Sequence, residues 1–186
     1  MRVTREQSAA NREKIVEAAS ALFRKHGFDG VGVDDITKAA GLTHGGFYGH
    51  FKSKDDLAAE ACAYARRDPW ASWTHAPPAE RLAGIVRSYL TPRHRDDRAN
   101  GCLFAALGSD IVRQPKAVRH AFTERFRSKV EMLQSLVPGR SAAARREKAL
   151  ATLAGLVGAL TLSRAVDDPQ LADDILETAA ATLGRP

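Results

Sequence analysis

Residues 33–51 read VDDITKAAGLTHGGFYGHF. The first half, Asp34 to Ala40, places apolar or small residues at Ile36, Ala39 and Ala40, as a short half-buried helix requires. Gly41 follows at the point where a helix ends most easily, because glycine takes a positive φ at little cost. Leu42 can pack into the angle, and Thr43 is a good N-cap for a second helix running to about Gly49. Two short helices joined by a tight turn form the helix-turn-helix pattern, whose second helix enters the major groove of DNA.

Outside this stretch the chain reads as an ordinary globular protein. It has 186 residues, 44% apolar and 27% charged. A chain of that size buries a sizeable core. The net charge is +6 and the pI about 9.6, which suits a polyanionic partner. The basic excess is not centred on the helix-turn-helix. Residues 1–54 carry a net +3, residues 101–150 a net +6 and residues 151–186 a net −3. Charge alone does not locate the site. The two cysteines, Cys62 and Cys102, lack metal-ligand spacing and are expected as reduced thiols in a cytoplasmic protein. The N-terminal MRVTREQSAANREK has no apolar segment of the secretory kind. The longest nearly apolar run, Ala149 to Leu162, is too short to span a bilayer.

A first helix is expected from about Asn11 to His26, capped by Asn11 or Ser8. Ile15, Ala18, Ala19, Leu22 and Phe23 form one apolar stripe on it. Arg24, Lys25 and His26 fall in its last turn, where cations suit the helix dipole, and Gly27 stops it. The recognition helix is unusual. Gly45, Gly46 and Gly49 each cost about 1 kcal/mol against alanine, so packing by Phe47 and Phe51 has to hold it. Glycine there lets the backbone approach the groove floor; the bland reading is a simple loop. Thr43 and His44 stand at the end that meets base edges, and Tyr48 and His50 can donate to phosphates. Ser53 caps a fourth helix beside Lys54, which is a natural phosphate seat.

Residues Asn11 to Leu57 resemble the N-terminal DNA-binding domain of the TetR family of bacterial transcription regulators. The words that carry the resemblance are IVEAASALFRKHGFDG, VDDITKAAGLTHGGFYGHF and KSKDDL, above all Phe47-Tyr48, His50-Phe51 and Lys54. The resemblance implies an all-α homodimer. Its helix-turn-helix domain would occupy residues 1–52, and a helical ligand-binding and dimerisation domain residues 53–186. It makes Thr43, His44 and Gly45 base-facing and Tyr48, His50 and Lys54 phosphate contacts. The partners it implies are double-stranded DNA with a palindromic operator and a small-molecule effector. The chain departs from the family at Val31 and Gly32, where a Thr or Ser usually stands, and at Gly49, which replaces a larger residue.

The fourth helix is expected to run to about Arg67, with Leu57, Ala61 and Tyr64 on one side, before a break from Asp68-Pro69 to Pro77-Pro78. Trp70 and Trp73 lie in that break and suit a pocket wall or a core equally. Further helices are expected over Ala79–Leu90, from Gly101-Cys102-Leu103 through Val112, over Pro115–Leu136, from Ser141, and over about Pro169–Leu183; Thr91–Asn100 reads as a charged loop. Trp70, Trp73, Cys102, Phe104 and Phe126 are the candidate ligand-binding residues. Cys102 is either a small core thiol or, as in one branch of the resembling family, a sensor of electrophiles. The segment LATLAGLVGALTL is apolar nearly all round and should be buried on most sides. With the last helix it suits the two-on-two homodimer interface that the resemblance implies.

These features point to a ligand-responsive DNA-binding regulator, foremost a repressor released by a small molecule that alters the spacing of its two heads. The alternatives are an activator or a cysteine-based electrophile or redox sensor. The sequence contains no Gly-rich phosphate loop, metal cluster or nucleophile elbow, so neither an enzyme nor a cofactor is expected.

Overall fold

A computed structural model describes residues 4–64 and 70–185, and no strand occurs among them. In chain order the helices are α1 (Arg5–His26), α2 (Val33–Ala39), α3 (His44–Tyr48), α4 (Lys54–Ala63) and α5 (Pro78–Tyr89). They continue with α6 (Pro92–Asp96), α7 (Leu103–Leu107), α8 (Lys116–Leu136), α9 (Ala142–Ala165) and α10 (Pro169–Leu183). Two 3₁₀ turns, Ala71–His75 and Ile111–Arg113, lie between them. The fold is all-α, as expected.

The chain divides into two compact units, Met1–Tyr64 with Arg98–Arg125, and Ala65–Asp97 with Phe126–Pro186. In the first, α1 packs against α2, α4 and α7, and α2 against α3. Its core joins Ile15, Ala19 and Phe23 of α1 to Ile36, Phe47, Phe51, Leu57 and Ala61, and adds Leu107, Ile111 and Val118 from far downstream. Phe23 and Phe28 stack with centroids 5.2 Å apart beside the stop at Gly27, whose φ is +78°. The helix therefore ends where the glycine predicted. It begins six residues earlier than Asn11, because Thr4 supplies the cap, its hydroxyl accepting from the Gln7 N–H at 3.1 Å. Asn11 lies inside the helix and accepts from Gln7 Nε2. Arg24 is not a solvated last-turn cation. It is buried, donating from Nε to Ala99 O at 2.7 Å and from Nη1 to Ser20 Oγ at 2.6 Å.

In the second unit α9 packs along α10, and α10 and the first 3₁₀ turn pack on α5. Leu82, Ile85, Val86, Tyr89 and Leu90 are buried, as the pattern of α5 predicted. The expected loop over Thr91–Asn100 contains the short helix α6, capped by Thr91, whose hydroxyl accepts from the His94 N–H at 3.1 Å. Arg95 binds Asp173 of α10 at 2.6 Å, and Arg164 of α9 donates to the carbonyls of His94 and Arg95. Charge here anchors structure, which composition alone reads as loop.

Further expectations meet a different structure. The helix expected through Val112 ends at Leu107 and resumes as the second 3₁₀ turn, where Val112 is exposed. Within one copy of the chain, the apolar half of α9 is buried along one side. Thr152, Leu153, Leu156 and Leu160 face the core, while Leu150, Ala154 and Leu162 are exposed. Leu171 of α10 is exposed too, although its neighbours Ala172 and Leu176 are buried. Finally, α4 closes at Ala63, with extended backbone at Tyr64. The expected continuation to Arg67 and the break at Asp68-Pro69 lie outside the described residues.

Candidate nucleic-acid interface

The turn of the helix-turn-helix is built by backbone hydrogen bonds. Gly41 has a φ of +70°. Its N–H donates to Lys38 O at 3.1 Å, and the Leu42 N–H donates to Thr37 O at 2.8 Å. This pair of bonds is the Schellman closure that a glycine at this position favours. Thr37 is buried, and its hydroxyl donates back to Val33 O and Asp34 O. At the start of α2 the Gly32 N–H donates to Asp35 Oδ2 at 2.9 Å, the carboxylate half of a capping box, while the half that a cap hydroxyl supplies is missing at Gly32. Val31, at the departure from the family pattern, is buried in the core.

α3 is only five residues long. It is held from below: Phe47 is fully buried, 5.6 Å from the ring of Phe51. The Arg12 guanidinium sits 4.6 Å over Phe51 and pairs with Glu60 of α4. Thr43 occupies the N-cap position, but its hydroxyl makes no capping bond. The expected side-chain cap is absent, and the Thr43 carbonyl alone accepts from Gly46 N–H at 2.9 Å.

The outer surface of α3 is correspondingly open. Thr43, His44, Gly45 and Tyr48 are exposed, and His50 is half-buried. A Cβ built on Gly45 meets nothing within 4 Å. Lys54 opens α4, whose cap is Ser53, its hydroxyl accepting from Asp56 N–H at 3.0 Å. One contact here was invisible in the sequence. His44 Nδ1 pairs with Asp34 Oδ1 across the turn, and the His44 ring lies 5.5 Å from that of Tyr48. Ten residues separate His44 from Asp34, and no helical periodicity links them.

The ligand candidates divide between the units. Trp70 is buried in the second unit, 5.7 Å from the ring of Tyr89, with Lys129 Nζ 4.3 Å from its ring centroid. Trp73 is half-buried against Gly84 of α5, and Phe126 is half-buried on α8. Cys102 and Phe104 belong to the first unit. Cys102 is the half-buried N-cap of α7, and Phe104 packs edge-on to Phe122 at 5.2 Å. No group of three or more His, Cys, Asp or Glu placed to hold a metal occurs among the described residues. None of the described helices is long and apolar enough to cross a membrane.

Residues 15–61 match the family model for bacterial regulatory proteins of the tetR family. Over this quarter of the chain the match is to the TetR-family DNA-binding domain. Among relatives, it is 39% identical over 59 residues to the HTH-type transcriptional regulator AcrR of Shigella flexneri, covering 32% of this chain and 27% of that protein. It is 30% identical over 103 residues to the HTH-type transcriptional repressor KstR2 of Mycolicibacterium smegmatis, covering 50% of this chain and 48% of that one. The chain thus spans about a quarter to a half of the length of these relatives. A TetR-family transcriptional regulator from Agrobacterium tumefaciens shares the fold, with a TM-score of 0.74 at 20% identity, over 95% of this chain and 98% of that one. The matched segment contains the whole TetR-type helix-turn-helix, from Ile15 of α1 to Ala61 of α4.

Proposed function

We propose that this chain is a sequence-specific DNA-binding repressor of the TetR family, acting as a homodimer on a palindromic operator and released by a small molecule. The observation that carries it is the surface of α3. Thr43, His44 and Gly45 are exposed on a short helix whose other side is pinned by Phe47. Such a helix is too glycine-rich to stand alone, yet it is presented rigidly by the core. In this reading Thr43, His44 and Gly45 face bases, and Tyr48, His50 and Lys54 seat phosphates. Residues 1–52 read DNA, and residues 53–186 bind the effector and dimerise. The exposed apolar stripe of Leu150, Ala154 and Leu162 on α9, with Leu171 on α10, supports a partner copy at this face. The effector acts only if it binds the two head arrangements with different affinity. Trp70, Trp73 and Phe126 of the second unit are the residues proposed to meet it, and Cys102 and Phe104 are separate candidates within the first unit.

The test is selection of bound duplexes from random DNA, followed by affinity measurements across salt concentrations. The expected result is one two-fold symmetric site whose affinity falls steeply with salt. His44→Ala changes the preferred sequence, whereas Lys54→Ala weakens all sites alike. Absence of sequence-selective, salt-sensitive binding overturns the proposal.

A further inference from the structure

The contact between Asp34 and His44 joins the first turn of α2 to the first residue of α3. Both side chains are exposed, so burial does not account for the pairing; each leaves water on at least one side. The carboxylate can only accept, so the shared proton sits on His44 Nδ1. One further neighbour confines the ring: Tyr48, one turn on, with its ring centroid 5.5 Å away. The imidazole is therefore held on two sides, by a carboxylate from α2 and by a phenol from its own helix.

From this geometry we infer that Asp34 is a positioning residue for base readout, which orients His44 and leaves Nε2 as the nitrogen offered to the major groove. This rests on the proposed DNA-binding reading of α3. In the neutral ring, a proton fixed on Nδ1 makes Nε2 an acceptor. An acceptor pairs with the major-groove bases that present an N–H, cytosine through N4 or adenine through N6. Guanine and thymine present acceptors at the corresponding edge and are rejected. Asp34 thus contributes to sequence choice without touching DNA. It fixes which atom of His44 does the reading, and it removes rotamer freedom that binding otherwise has to freeze.

The experiment uses the full-length chain at pH 8 and has three arms. In the first, selection from random duplexes compares the parent chain with His44→Ala, Asp34→Leu and Asp34→Asn. The parent prefers one base pair in one orientation at one position of each half-site, and it loses affinity when the exocyclic amine of the cytosine or adenine there is removed. His44→Ala flattens that preference by roughly 5- to 100-fold, the range of one good base contact. Asp34→Leu flattens it at the same base pair, whereas Asp34→Asn, whose side-chain carbonyl still accepts from Nδ1, largely keeps it. In the second arm, the double variant His44→Ala/Asp34→Leu shows no loss of discrimination beyond His44→Ala, because the two act through one ring. In the third, nitrogen NMR of the free protein reads the His44 tautomer, with Nδ1 protonated in the parent and the proton shifting to Nε2 in Asp34→Leu. A merely structural role for Asp34 does not move that signal. If Asp34→Leu leaves base preference intact while His44→Ala alters it, the inference fails and the DNA-binding reading stands. A parent whose affinity is unchanged when the exocyclic amine of that base is removed, with purine in place of adenine or 2-pyrimidinone in place of cytosine, also overturns it. If the parent shows no selective binding at all, both fall together.

Discussion

The indole of Trp73 closes directly over Gly84: a Cβ placed on that glycine would lie 2.1 Å from Cζ3 and 2.3 Å from Cη2. Gly84 sits inside α5, where alanine ordinarily stabilises a helix by about 1 kcal/mol over glycine. Here the sign reverses. Gly84→Ala is expected to destabilise the protein by about 1–3 kcal/mol through overpacking, because an aromatic ring cannot yield as a flexible side-chain end does. Chemical denaturation checks it, and combining the change with Trp73→Ala should recover part of the loss.

Arg24 and Lys25 are adjacent in α1 and carry the same charge, yet their substitutions should differ. Arg24→Ala strips hydrogen bonds from Ala99 O and Ser20 Oγ in a buried setting. Its expected cost is about 1–3 kcal/mol, the penalty for buried groups left unpaired. Lys25 is exposed, so Lys25→Ala should stay within about 0.5 kcal/mol of the parent. Equal effects from the two variants would refute the structural role of Arg24.

Burial lowers the His94 pKa below its usual 6.5, and the nearby Arg164 charge adds to that; the hydrogen bond to Tyr89 O and the charge of Asp97 act the other way. The unfolded chain therefore takes up the proton first as the pH falls. Stability from this group is complete above about pH 6.5 and declines below it, until the folded pKa is passed. Unfolding midpoints measured from pH 7.5 to 5 should show that decline, and His94→Asn should make it shallower.

The two thiols should react in a fixed order. Burial pushes the Cys62 pKa up to about 12, with the Arg24 charge acting the other way, and its side chain is inaccessible. Cys102 is half-buried at the start of α7. A thiol reagent at neutral pH should label Cys102 first and Cys62 only on unfolding, because the thiolate is the reacting form. Mass spectrometry of timed samples resolves the two. If effector release of DNA runs through a thiol, a Cys102→Ser variant should lose it.

Leu162 is 58% exposed on α9. In a monomer, Leu162→Glu should change stability by less than about 0.5 kcal/mol. In a homodimer built on this face, it buries a charge and should shift the protein to monomers, as sedimentation would show. A dimer unaffected by Leu162→Glu would place the interface elsewhere.

The helix-turn-helix was legible because it depends on local chemistry: the positive-φ glycine at Gly41, the buried Phe47 and Phe51, and the Ser53 cap all act within a few residues. The features that escaped the sequence depend on distant pairing. Arg24 looked like a dipole-compensating cation until Ala99 was found beside it, and the charged run around α6 looked like a loop until Asp173 and Arg164 anchored it. The contact of Asp34 with His44 is short in sequence but crosses a turn, so no periodicity exposes it. The apolar character of α9 was visible, but not which of its sides faces its own core. Leu153 and Leu162 are equally apolar, and only packing separates them.

Leu107, Ile111 and Val118 complete the core that contains Ile15 and Phe47. During synthesis the helix-turn-helix leaves the ribosome before Leu107, Ile111 and Val118 do, so its core is incomplete until Val118 has emerged. For that interval Phe23 and Phe28, which line one cavity with Leu107, belong to an unfinished apolar surface of the kind that invites aggregation and chaperone capture. Slow translation just before residue 118 would lengthen that exposure, and a truncated product ending there would be a ready target for proteolysis rather than a stray DNA binder.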